Sequence, residues 1–235
     1  MATERVNCLI CGKPLAYFEE AQEVVCALCG RRETARAACT AGHYVCDECH
    51  RARGVDFIIE RCLASDSRNP VDIAVAIMRG RSICQNGPEH HMLAGAALMT
   101  AYRNAGGRIN LNEGLVELKD RSRQVPGGAC GYWGVCGAAA SAGQFWSIVS
   151  GSTPLARVPW GECQRLTSRI LGRLADIGGP RCCKRSVLCA VLEGAAFVEE
   201  THRIETELPS RVVCPFFSRN AECLRQDCPF YPRER

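Results

Sequence analysis

Cys8-x2-Cys11, Cys26-x2-Cys29 and Cys46-x2-Cys49 crowd the start of the chain, and Cys214, Cys223 and Cys228 close it, out of eighteen cysteines in 235 residues. Two thiolates separated by two residues turn back onto one soft cation, so this spacing points to metal before it points to disulfides. In the first two pairs a glycine, Gly12 or Gly30, follows the second cysteine. A metal knuckle needs that residue where backbone amides approach the sulfurs. Cys8, Cys11, Cys26 and Cys29 compose a ribbon-like four-thiolate site, and Cys39, His43, Cys46 and Cys49 offer a second tetrahedron, with His50 as a spare ligand. Sequential sites and an interleaved cross-brace both satisfy the spacing. Zinc is the expected ion, although a rubredoxin-like iron site uses the same donors. A closed four-ligand shell leaves no open position, which makes these sites structural.

The centre of the chain carries different chemistry. Gly87-Pro88-Glu89-His90-His91 reads as a helix start, where unsatisfied amides favour an anion. Adjacent helical residues point about 100° apart, so His90 and His91 do not bind one ion from one face. Glu89, His90 and His91 are candidate catalytic groups, with Glu89 or His90 as proton carrier; the bland alternative is a satisfied histidine pair at a helix entrance. The stretch from Gly128 to Gly143 surrounds Cys130 and Cys136 with glycines and runs into a small-residue helix. Its glycines allow close backbone approach to a cofactor or to another helix. The six-residue gap suits a cluster ligand plus a redox or sulfur-carrying thiol; tight helix packing around inert thiols is the alternative.

Towards the C-terminus, Cys182 and Cys183 open a helix and Cys214-Pro215 and Cys228-Pro229 sit in a loop-rich tail. Cysteine followed by proline is frequent at iron–sulfur sites. Cys214, Cys223 and Cys228 plus one of Cys182 or Cys183 complete a four-thiolate shell. The absence of a CxxC pair there leans towards a [4Fe–4S] cluster, with zinc competing for the same donors. Lys184 and Arg185 would hold an anionic cluster or substrate, or simply be solvated cations at a helix start.

These groups need elements to position them. With 25.7 kDa and 47% hydrophobic residues, the chain has enough apolar surface for a proper core. The expected class is mostly α: a small zinc-ribbon-like module over 1–52, a helical core over 53–205, and a cysteine-rich metal-binding tail over 206–235 packed on that core. Helices are expected over Val71–Met78 after Asn69-Pro70, from Pro88 through Tyr102 to Gly106, over Glu113–Arg123 with Asn112 as cap, through the apolar passage Gly134–Val149, and over Trp160–Ile177 and Cys183–Thr201. Strands are expected only in the metal module and at Arg211–Cys214.

Several classes fall away. No signal-peptide pattern opens the chain, and the apolar passages fall short of the roughly 20 residues a bilayer crossing needs. A cytoplasmic protein without membrane partners is expected, and a reducing compartment argues against a disulfide framework. The net charge is +4, only 6% of residues are aromatic, and no basic block exceeds Arg31-Arg32. Nucleic acid is therefore not the expected partner.

Gly87-Pro88-Glu89-His90-His91, Cys130-Gly-x-Trp133-Gly-x-Cys136-Gly, Arg181-Cys182-Cys183-Lys184-Arg185 and the terminal Cys-Pro-Phe elements together resemble an uncharacterised family of cysteine-rich domains from archaea and anaerobic bacteria. The family is sometimes attached to methyltransferase-like domains, and the likeness covers about residues 40 to 232. It implies no reaction. A shorter likeness, in the small-residue cysteine loop, is to iron–sulfur dehydratases and cysteine desulfidases, and transfers no catalytic residue. The expectation is a metalloprotein with zinc and an iron–sulfur cluster, an enzyme of sulfur or redox chemistry (a lyase, sulfur transferase or redox enzyme) on a small anionic substrate. A non-catalytic zinc scaffold docking on a partner enzyme is the rival.

Overall fold

The computed structural model describes residues 8–233, apart from the side chains of Asp47 and His50, so the spare ligand His50 lies outside the described side chains. The chain divides into two units, Met1–Gly54 and Val55–Arg235.

The first unit is built on an antiparallel hairpin, β1 (Leu15–Val25) and β2 (Arg32–Cys39), with Leu15 opposite Cys39 and Val25 opposite Arg32. A register irregularity between Tyr17 and Gln22 breaks the alternation of faces, and no large apolar side chain of the described hairpin is buried. Among the described residues its buried side chains are cysteines, Cys8, Cys26, Cys39 and Cys46. So small a unit buries little apolar surface, the circumstance in which a bound metal contributes folding energy. Helix α1 (Asp47–Leu63) starts here and runs across the division at Gly54. The sequence reading placed no helix there, because charged residues and Gly54 obscure the pattern. Val55, Ile58 and Cys62 nevertheless recur on one face and are buried.

The second unit is helical: α2 (Pro70–Met78), α3 (His90–Asn104), α4 (Leu111–Ser122), the short α5 (Ala129–Tyr132), α6 (Gly137–Ser150), α7 (Val158–Ile177) and α8 (Cys183–His202). The start of α2 follows from Asn69, whose Oδ1 accepts from Val71 N at 3.0 Å and Asp72 N at 3.2 Å, with Pro70 in the first turn. Helix α4 begins earlier than expected, because Asn110 rather than Asn112 caps it, accepting from Glu113 N. Arg211–Cys214 forms no strand; the chain there is irregular, leading into single 3-10 turns at Phe217–Arg219 and Arg225–Asp227.

Helix α3 is the hub and packs on α2, α4, α6 and α8. It is apolar all round, with Met92, Leu93, Ala94, Ala96, Ala97 and Met99 fully buried, as a central helix must be. Gly95 lets α6 approach: a Cβ there would lie 2.4 Å from the Ser141 carbonyl oxygen. Ser141 Oγ completes the seam by accepting from Gly95 N and donating to Met92 O. Because α3 and α6 begin with the two central motifs, this seam brings those motifs together.

Candidate metal centres and the adjoining cavity

In the first unit the ligands pair crosswise. Cys8, Cys11, Cys39 and His43 form one group and Cys26, Cys29, Cys46 and Cys49 the other, the ligand atoms of each lying within 4.8 Å of one another. Both groups can hold a metal ion. The interleaving follows from the hairpin: β1 separates the first two knuckles, and the return of β2 carries Cys39 back beside Leu15 and the first knuckle. Cys11 and Cys39 sulfurs are 3.5 Å apart and those of Cys29 and Cys46 3.7 Å. Tetrahedral bonds of about 2.3 Å place sulfurs about 3.8 Å apart, so the spacing fits one ion per site. Gly12 and Gly30, both at φ 71°, close the knuckles, with Gly12 N donating to Cys8 O and Gly30 N to Cys26 O.

One thiol of each group is prepared for deprotonation, Cys39 in the first and Cys26 in the second, whereas the neighbouring Cys29 thiol pushes Cys49 up to about 12 and burial raises Cys46. Burial opposes it at Cys26, but amides of Cys46, Cys29 and Leu28 outweigh burial and bring the thiol down to about 6. Cys39 is likewise brought to about 6 against burial, by the Ala41 amide and the neighbouring ligands Cys11, His43 and Cys8. His43 Nδ1 is buried without a hydrogen-bond partner, which suits a metal-facing nitrogen.

In the second unit four cysteines, Cys182, Cys214, Cys223 and Cys228, line one small cavity of about 20 Å³. Of the two adjacent cysteines, Cys182, at the N-cap of α8, lines this cavity with the tail cysteines and Cys183 does not. Among the described residues only the two groups of the first unit bring three or more ligand atoms within 4.8 Å of one another. The four tail-side sulfurs therefore share a cavity but stand wider than one tetrahedral ion requires. Backbone amides donate to three of them: Arg185 N to Cys182 at 3.5 Å, Phe216 N to Cys214 at 3.4 Å and Arg225 N to Cys223 at 3.4 Å. Burial pushes Cys214 up to about 11, with the thiols of Cys182, Cys228 and Cys223 adding to the rise. Two further residues of the wall, Gln85 and Arg185, carry buried nitrogens without acceptors, Gln85 Nε2 and Arg185 Nε.

A second cavity, of about 1060 Å³, shares Cys182 and Arg185 with the first. His90, His91, Cys130, Cys136 and Cys183 all line it, so the two central motifs and the start of α8 converge on one space. Each imidazole is fixed through Nδ1, which donates to a backbone carbonyl: His90 to Gly87 O at 3.0 Å and His91 to Val125 O at 3.1 Å. That bond puts the proton on Nδ1 and leaves Nε2 as the acceptor. His90 is 1% exposed, and burial, then the Lys184 charge, holds it well below the ordinary histidine range, so the ring is neutral. The His91 ring lies over Gly137, where a Cβ would come within 2.0 Å of it. Burial raises the Cys183 thiol to about 12, with Cys136 and Glu89 adding to the rise against a Gly87 amide.

Two expected site residues lie elsewhere. Glu89 is 0% exposed and lines neither cavity; its Oε1 accepts from Cys84 N at 2.9 Å and lies 3.5 Å from His90 Nδ1. It positions the loop and His90 rather than meeting a substrate. Lys184, one residue round the helix from Cys183, points into the core, its ammonium donating to Met78 O at 3.4 Å and lying 5.1 Å from the Phe216 ring centre. Burial lowers it to about 8 while Glu89 partly offsets the fall. Arg185, the other expected anion holder, lines both cavities, and its Nη2 braces the turn before α8 through Gly178 O and Pro180 O. Gln85, Arg181 and the α7 face at Leu171 and Leu174 also line the cavities and are not among the site residues the sequence singles out. Only Arg181, inside the Arg-Cys-Cys-Lys-Arg run, carried any local signal.

Residues 58–231 match a family of unknown function, DUF5714. The chain belongs to this family. The match takes in both cavities and every cysteine that lines them, while both ligand groups of the first unit fall outside it. No curated protein and no solved structure matches the chain. No helix among the described residues is long and apolar enough to cross a membrane.

Proposed function

We propose that the protein is a cytoplasmic redox or sulfur-chemistry metalloenzyme, with zinc in the two cross-braced sites and a [4Fe–4S] cluster held by Cys182, Cys214, Cys223 and Cys228. The observation that carries this reading is the set of four cysteines around one cavity, with sulfurs wider than one ion needs, sharing Cys182 and Arg185 with a cavity lined by thiols and imidazoles. The narrow space between them favours a single ion. The sulfur separation and the acceptor-less nitrogen of Gln85, which lines this cavity and not the larger one, favour a group that brings its own sulfides as acceptors. The Gln85 nitrogen decides it, because a bare cation leaves a buried donor unanswered.

Four protein ligands saturate such a cluster, so its chemistry when bound is electron transfer rather than substrate coordination at an open iron. The residues of the larger cavity then supply the reacting groups. Cys136 and Cys183 are the candidate thiols, Cys130 a third at the exposed glycine loop, and His90 Nε2 the proton acceptor, held neutral and in one tautomer by Gly87 O. Anaerobic purification followed by metal and acid-labile sulfide analysis tests the assignment. About four iron and four sulfide per chain are expected beside the zinc; zinc at the tail with no sulfide would leave a zinc-knit scaffold in its place.

A further inference from the structure

The larger cavity has an electropositive pole and an apolar wall. Helix α6 starts in its lining at Gly137 and Ala138, and no side chain caps the first turn. Helices α3 and α8 also start in this lining, at His90 and Cys183, but Glu89 stands at the N-cap of α3 and Cys182 and Asn86 take amides at the start of α8, so the positive end left open is that of α6, with the exposed Arg181 in the same lining. Opposite in character are Leu171, Leu174 and Ala175 of α7.

Two buried polar atoms of the lining state what the ligand must offer. His90 Nε2 is an acceptor without a donor, on a residue 1% exposed. Arg185 Nε is a donor without an acceptor, on a residue 5% exposed. A cation answers neither the pole nor Arg185. A sulfate or carboxylate ion answers the pole but leaves His90 facing oxygen without a hydrogen. A phosphate monoester near its second pKa of about 6 is an anion that keeps one O–H, and answers both.

We propose that this cavity binds a phosphate monoester with an apolar body, the phosphate at the first turn of α6 with its O–H on His90 Nε2, and the body against α7. The volume of about 1060 Å³ lies at the upper end of cavities that take cofactor-sized ligands. This names the ligand class of the cavity given a chemical role above, and rests on that role only for what the ligand does there.

Calorimetric titration at about pH 6 with 1-naphthyl phosphate, 1-naphthyl sulfate and 1-naphthol separates the requirements. The phosphate should bind one per chain, about tenfold more tightly than the sulfate, which leaves a buried acceptor unpaired. It should also bind at least about tenfold more tightly than the naphthol, which lacks the charge. H90F should erase the preference for phosphate over sulfate. R181A, at an exposed position, should weaken both anions and leave the naphthol unchanged. Gly172 lines the cavity and a Cβ there meets nothing within 4 Å, so G172W, checked for an unchanged helical signal, fills the α7 side and should weaken all three. Naphthol binding as tight as the phosphate, or phosphate binding indifferent to G172W, overturns the proposal. Iron measured on the same samples keeps the two readings apart: the expected binding by iron-free protein sinks the cluster alone, and no binding by iron-loaded protein sinks this inference alone.

Discussion

The two cysteine-rich regions use the same donor atoms to opposite ends. In the first unit each set of ligands closes to within 4.8 Å, sulfurs stand 3.5 and 3.7 Å apart, and hardly any apolar side chain is buried. In the second unit the four cysteines stand wider, inside a domain whose core is already complete around α3, and they adjoin a large cavity. On the proposed reading, metal substitutes for a core in one place and is added to a core in the other. The lesson is that cysteine spacing alone does not separate a fold-making site from a chemistry-bearing one; the apolar surroundings do.

The sharpest way to break that comparison is to remove metal. A zinc chelator should abolish protease resistance across Met1–Gly54 while the helical signal of Val55–Arg235 in circular dichroism persists; simultaneous collapse of both would erase the distinction. Next in size, C223S should lose essentially all iron and sulfide and keep its zinc, whereas C26S should lose about half the zinc and no iron, both read by elemental analysis.

Smaller effects sharpen the claim that the second unit is held by packing. G95A sets a methyl against the Ser141 carbonyl and should cost about 1–3 kcal/mol in denaturant unfolding, while G172A, in open space on α7, should be neutral or stabilise by up to about 1 kcal/mol. A pH effect is expected at Cys62, whose thiol burial pushes up to about 12 from 9.0. The folded state holds that proton between those values and the unfolded state releases it. The stability this group contributes is therefore complete below about pH 9 and declines as pH rises towards 12. C62A should flatten that decline by up to about 1.4 kcal/mol per pH unit; an unchanged slope would show that the thiol titrates normally.

Much of the helical framework could be read locally. Asn69-Pro70, Pro88 and the apolar periodicity of α7 and α8 announce their elements because caps and periodicity act within a turn or two. Helix α1 escaped, since Arg51, Arg53 and Gly54 interrupt its apolar face. The expected strand at Arg211–Cys214 did not form, because Cys214 N donates to Phe230 O within the tail's own loops and no second strand faces it.

At the sites, the sequence by itself determined the donors: which thiols and imidazoles exist, which sit in knuckles, and which begin helices. Only the tertiary structure decided their company. Sequential and interleaved pairing satisfy the same spacings, and the choice fell to a hairpin that returns Cys39 to Leu15. Cys182, Cys183 and Lys184 are neighbours in the chain, yet the turn of a helix start sends them to the tail, the large cavity and the core. Local rules fix backbone geometry over a few residues; which distant groups meet depends on how helices pack, and here on a glycine that lets α3 and α6 touch.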